Sequence, residues 1–149
     1  MEFLQTIASR VARQDKAEDG GDGHSTQTAS KAVGDTYGSA KKATLVSVKM
    51  RDDTIISTER IFNFVWQNIK AKDRQKKSVV TFSLVSQTPV DPNNLPRWYQ
   101  RQRDDIATLM KNDVPVVVAA GNDAKVKNDK GLFRTRVDLA PAVFAPDRG

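Results

Sequence analysis

Ten residues, Val114-Pro115-Val116-Val117-Val118-Ala119-Ala120-Gly121-Asn122-Asp123, constrain this chain more than any others. Three valines and two alanines run without a polar break before Gly121 and Asn122 stop them. A segment of this kind reads as a strand buried on both faces, at the centre of a parallel sheet. Two shorter strand-like runs precede it, at residues 44–50 and 78–84, and each is followed by a helix-like pattern. Strand, helix, strand, helix, strand with short connections predicts right-handed crossovers in an α/β layer. The expected fold is therefore a parallel sheet with helices on both faces. In open parallel sheets, ligands bind just beyond the carboxyl ends of the strands, which is where Gly121 and Asn122 lie.

The helices come from periodicity. Ile61, Phe62, Val65, Trp66 and Ile69 repeat at helical spacing and give one broad apolar face, with Ser57 or Thr58 as its cap. A stripe of this kind is ordinary sheet-covering core. Residues 104–110 form the next helix, with Asn112 as a left-handed stop before the long strand. Between them, residues 88–97 hold Pro89, Pro92 and Pro96 and read as an irregular loop whose end Trp98 and Tyr99 anchor. Upstream, Phe3, Leu4, Ile7 and Val11 fit a short amphipathic helix, and residues 16–23 form a polar, glycine-rich loop. A small-residue helix then opens near His24, ends near Gly34, and Gly38 closes a second turn. Past Asn122 the pattern fades, and residues 140–146 are too proline-rich for a helix. The organisation read from this is an amino-terminal helix and loop, 1–21, and a partial domain, 22–149, incomplete at both ends.

Composition excludes several classes of function. The 149 residues contain no Cys, which removes disulfides, thiolate metal sites and a Cys nucleophile. No run approaches the roughly 18 apolar residues of a membrane span. The amino terminus is not a secretory signal, because Glu2, Gln5 and Thr6 break any apolar stretch. A net charge of +6 raises the question of an acidic partner. No aromatic residues interleave with the basic cluster Lys70, Lys72, Arg74, Lys76 and Lys77, and cations are favourable at a helix C-terminus, so nucleic acid is not the expected partner. Glu18, Asp19 and Asp22 could ligate calcium, although a solvated acidic loop is the favoured reading, and no other cofactor is expected.

Two residues invite a chemical reading. His24 is the only histidine, and a Gly-rich loop delivers it to the start of a helix, where a base would be rigidly held. Asn122 is either a turn residue or an amide donor placed at the end of the stiffest element.

Their surroundings resemble the subtilisin-like serine peptidases (subtilases). Asp22-Gly23-His24-Ser25-Thr26-Gln27-Thr28-Ala29-Ser30 is similar to the catalytic-histidine motif D-G-H-G-T-x-x-A-S/G. Residues 37–40 and 43–50 resemble the segment and strand that follow it. Ser78-Val79-Val80-Thr81-Phe82-Ser83-Leu84 is similar to the strand along which that family pairs the substrate backbone. Residues 114–123 are close to the strand G-V-x-V-V-x-A-A-G-N, the most specific of the blocks.

The resemblance implies a serine endopeptidase working through an Asp/His/Ser triad, on peptide or protein substrates. It makes His24 the general base and Asn122 the oxyanion donor. Ser83, Leu84 and Val85 would line the substrate strand, and Ala119, Ala120 and Gly121 one wall of the pocket beside the scissile bond. Members of the family are often secreted. The chain also departs from the pattern. No acid before His24 stands in an Asp-Ser-Gly or Asp-Thr-Gly turn, and no Ser follows Asn122. Ser25 stands where the family has Gly, and Val85 and Ser86 replace its Gly pair. The expectation is a fragment of a peptidase domain, inactive and marginally stable alone. The alternative is a non-catalytic scaffold that binds peptide or protein partners along residues 83–86.

Overall fold

In the computed structural model, residues 23–48, 55–122 and 137–145 are described. The expected amino-terminal helix, the acidic loop at 16–22 and most of the segment after Asn122 lie outside them. The chain divides into two compact units, Met1–Lys49 and Met50–Gly149.

In the first unit, helix α1 spans His24–Val33 and begins after Gly23, whose φ of 71° is left-handed. Its carboxyl end is closed by the returning chain. The amides of Gly34, Ser39 and Ala40 donate to the carbonyls of Ser30, Lys31 and Ala32, at 2.9, 3.1 and 2.8 Å. These are the terminal carbonyls that a helix cannot satisfy itself. The return needs glycine at position 38, because a Cβ there would stand 2.3 Å from the Gly34 nitrogen. Residues 44–48 carry no ladder pairing among the described residues, so the strand expected at 44–50 is not formed over that stretch. Its alternation gives strand propensity, but a strand exists only where a neighbour supplies hydrogen bonds.

The second unit contains α2 (Ile55–Ala71), β1 (Val80–Phe82), α3 (Arg97–Lys111) and β2 (Val116–Val118), in that order. A 3-10 turn, Ala142–Phe144, follows. The strands pair in parallel, with Val80 opposite Val116, Thr81 opposite Val117 and Phe82 opposite Val118. A parallel pair requires a crossover, and α3 provides it. The ladder continues one bond beyond each end, from the Val80 amide to the Pro115 carbonyl and from the Ala119 amide to the Phe82 carbonyl, at 2.9 and 3.1 Å.

Phe62, Ile69, Phe82, Ile106, Leu109 and Val114 form the main core, where the helices meet one face of the strands. Phe62 and Phe82 stack tilted, with ring centroids 5.0 Å apart. Each such aromatic pair adds about 0.5–1.5 kcal/mol to area burial. A second, smaller cluster of Val90, Leu95 and Ala140 lies under Tyr99, Val143 and Phe144, and Phe144 packs against both clusters.

Four expectations change. The long valine run is not buried on both faces: Val116 and Val118 are half-buried, but Val117 is 57% exposed. Alternate strand residues face opposite ways, and among the described residues α2 and α3 cover only one face. Ser57 and Thr58 do not cap α2, which is already helical at Ile55. Ser and Thr cost a helix at most about 0.7 kcal/mol each, so neither forces a start. Helix α3 begins at Arg97, directly after Pro96, rather than near residue 104. The carbonyl of Pro96 accepts from the amides of Tyr99 and Gln100, which places Trp98 and Tyr99 in the first turn. Asn112, finally, is not left-handed at φ −103°, and Asp113 takes that role at φ 58°.

Candidate active site

The carboxyl ends of β1 and β2 lie side by side, fixed by the Ala119-to-Phe82 bond. Past that bond the two chains present Ser83, Leu84 and Val85 on one side and Ala119, Ala120, Gly121 and Asn122 on the other. Ser83, Ala120 and Asn122 are exposed, while Val85, Ala119 and Gly121 are half-buried. Leu84 is 37% exposed. The expected substrate-lining residues and the expected amide donor therefore share one edge of the second unit.

Gly121 sets the direction in which Asn122 leaves β2. Its φ of 94° is open to glycine and strained for any other residue. A Cβ on Gly121 would also approach the Leu139 Cδ1 to 2.7 Å. The positive φ is what calls for glycine immediately before the asparagine, and a side chain there would also make the Leu139 methyl group shift.

Leu139 belongs to a strap that the sequence did not announce. Its neighbour Ala140 accepts from the Ser86 amide at 2.8 Å and donates to the Ser86 hydroxyl at 3.0 Å. The same hydroxyl donates to the Thr88 carbonyl at 2.8 Å, and the Val90 amide donates to the Asp138 carbonyl at 2.8 Å. Leu139 and Ala140 are each only 3% exposed. The strap is bonded to the chain leaving β1 and sets the Leu139 side chain beside Gly121 on the chain leaving β2. Residues 140–146 offered no periodicity by which to find it, and the departure at Ser86 was its one visible sign.

His24 is the first residue of α1 and is exposed. It lies in the first unit, whereas the strand ends lie in the second. Among the described residues no group of three or more His, Cys, Asp or Glu is placed to hold a metal ion. No helix among them is long and apolar enough to cross a membrane.

Residues 5–136 match the model of the Subtilase family. A subtilisin-like protease of Coccidioides posadasii is 38% identical over 106 residues, covering 69% of this chain and 23% of the relative. Subtilisin-like protease 2 of Trichophyton tonsurans is 34% identical over 106 residues, covering 69% and 23%. A subtilisin-like serine protease of Penicillium citrinum is 34% identical over 109 residues, covering 70% and 25%. This chain thus spans about a quarter of the length of the curated relatives it matches. No solved structure matches it. With most of its length aligned to the family and its glycine-asparagine exit at the carboxyl end of a parallel strand, the chain belongs to the subtilases.

Proposed function

We propose that this chain carries part of a subtilisin-like serine endopeptidase domain, with the chemistry of the peptidase portion carried by residues 22–149. The observation that carries this reading is the exit from β2. Gly121, held left-handed against Leu139, delivers the exposed Asn122 to the edge shared with Ser83. A neutral amide on a stiff backbone suits a site where negative charge develops only in the transition state, because it stabilises the oxyanion without reorganising.

In this reading His24 takes the proton of the nucleophilic serine and returns it to the leaving amine. Asn122 donates to the tetrahedral oxyanion. The substrate backbone runs along Ser83, Leu84 and Val85. Ala119, Ala120 and Gly121 wall the pocket beside the scissile bond, with Leu139 packed beside Gly121. The complete domain has the parallel sheet covered by helices on both faces, so that Val79 and Val117, exposed on their own at 67% and 57%, become core.

A base and an oxyanion donor have nothing to activate without a nucleophile, and no Ser follows Asn122 in this sequence. The chain by itself therefore should not hydrolyse peptides. The test is the native protein's intact mass, with sequence read beyond Gly149, followed by peptidase assay of that product. In a product containing a Gly-Thr-Ser segment, Asn122→Ala should lower turnover about 10²–10³-fold, the loss known for the corresponding donor of subtilisin itself. An unchanged rate in Asn122→Ala overturns the assignment of the donor. Peptidase activity of the purified 149-residue chain that disappears in His24→Ala overturns the claim that it is inactive alone.

One observation favours the second reading, a non-catalytic scaffold that binds peptides: no Ser follows Asn122 in this sequence. Ser86 already spends its amide on Ala140, so the edge open to a partner narrows to residues 83–85. Peptide-induced shifts of the 83–85 amides in a native product of 16.5 kDa would select it.

A further inference from the structure

The opposite end of the strands has a chemistry of its own. Helices α2 and α3 both run back to the amino ends of β1 and β2, and their connections touch there. The Lys76 amide donates to the Asp113 carbonyl at 3.2 Å, and the Lys76 Nζ stands 3.8 Å from Asp113 Oδ2. An open depression between the connections is lined by Lys76, Lys77, Ser78, Val79, Asp113 and Pro115.

Six cations lie on these two connections and the last turns of the helices that lead into them: Lys70, Lys72, Arg74, Lys76, Lys77 and Lys111. All but Arg74 are exposed. Arg74 donates to the side-chain oxygen of Asn68, a neutral partner that leaves its charge uncancelled. The cations that cap α2 and α3 have an ordinary role at helix C-termini, but the arithmetic does not close. Two helix ends contribute about half a negative charge each, and Asp73 and Asp113 one apiece, leaving a surplus of about three positive charges on one edge. In formal charge alone these residues carry +4, in a chain whose net charge is +6.

We propose that this edge is a docking surface for a sulfated polysaccharide. Five of the six cations are lysines, compact and mobile point charges that can follow irregularly spaced anions, rather than planar forks that fix one geometry. No aromatic residue stands among them to stack on a base. Mobile ammonium groups without a stacking platform match a chain of sulfate monoanions set at irregular spacing along a polymer. The surface sits at the amino ends of the strands, so a polyanion held there leaves the carboxyl edge with Ser83 and Asn122 uncovered. The proposal does not depend on the peptidase reading.

The test uses the 149-residue chain and immobilised heparin as the probe. The wild type should be retained at about 50 mM salt and lose affinity steeply as salt rises, by about three to five powers of the salt concentration, as counterion release requires. Reversing Lys70, Lys72 and Lys77 together to Glu should weaken binding at least about 100-fold, whereas the same charge change at Lys41, Lys42 and Arg97 should cost less than about 3-fold. If the reversal variant fails a circular dichroism check of folding, the neutral variant of Lys70, Lys72 and Lys77 to Gln should show about 10-fold weakening. Equal losses from both triple reversals, no loss in the neutral variant, or no retention of the wild type overturn the proposal. So does a short DNA duplex that binds as tightly as heparin at equal charge concentration.

Discussion

The two ends of the small parallel sheet are built from opposite materials. At the carboxyl end, residues 83–86 and 119–122 include no charged side chain, and the left-handed turn is made by Gly121. At the amino end, residues 74–79 and 112–115 carry Arg74, Lys76, Lys77 and Asp113, and the left-handed turns fall on Lys76 and Asp113 at φ 62° and 58°. Glycine is needed where backbone and side chains of another segment press in, as Leu139 does on Gly121. Where the turn faces water and stays near φ 60°, a charged residue can take the left-handed conformation at a modest cost. The difference teaches that left-handed turns do not mark a site by themselves. Crowding against the turn distinguishes the carboxyl edge.

The largest expected effect follows from that crowding. Gly121→Ala should destabilise the second unit by about 2–4 kcal/mol, combining left-handed strain with overpacking against Leu139. Since whole domains are stable by only about 5–15 kcal/mol, this is a large share. Urea denaturation measures it, and a shift below about 1 kcal/mol would break the contrast between the two ends. The cause can be separated. Leu139→Ala alone should cost about 2–4 kcal/mol by emptying a packed site. In that background, however, Gly121→Ala should cost only the strain, about 1–2 kcal/mol. A cycle with no coupling would mean that Leu139 does not press on the turn.

A smaller effect tests what holds the strap. Ser86 joins Ala140 twice, through its amide and its hydroxyl, and Ser86→Ala removes the second bond. The Ala140 amide would then be buried without its acceptor, at a cost of about 1–2 kcal/mol. Hydrogen exchange at Ala140 should quicken by roughly the corresponding 5–30-fold, while Val80 in the ladder keeps its protection. Uniform quickening at both amides would mean that the strap and the ladder open together.

Much of the second unit was legible in the sequence. The α2 stripe placed Phe62 and Ile69 inward, and both are buried. The valine run gave β2 its position, and its end gave the glycine-asparagine exit. What was not legible has physical causes. Valine records a preference for burial and strand geometry, but not how many layers are present to satisfy it, so Val117 was expected inside and is exposed. The start of α3 was hidden by three nearby prolines, because Pro96 both ends a loop and presets a helix. Asn112 is the better left-handed residue by propensity, yet its side chain donates to the Thr108 carbonyl at 2.8 Å as the helix ends. The turn then falls one residue later, on Asp113. The strap at 138–140 acts through backbone bonds and one leucine, neither of which leaves a sequence period. The two segments that end the strands could be read from motifs, whereas the packing of Leu139 beside Gly121 could only be seen in space.

The smallest effect sharpens the comparison from the other end. Lys76→Gly removes a left-handed lysine whose conformation costs about 1–2 kcal/mol, but glycine also gains freedom in the unfolded chain, about 0.5–1 kcal/mol in the opposing direction. The ion pair with Asp113 would be lost too, but its side chains are 76% and 66% exposed, so solvent screens it to a few tenths of a kcal/mol at most. The sum is a gain of up to about 1 kcal/mol, or none. High salt should leave that gain unchanged, because the screened pair contributes almost nothing to it. Substitution in the two turns thus has opposite signs: adding a methyl group at Gly121 destabilises, while removing a side chain at Lys76 does not. A loss above about 1 kcal/mol in Lys76→Gly would mean that the lysine's stem or charge holds the two connections together. The amino edge would then be a structural joint as much as a charged surface.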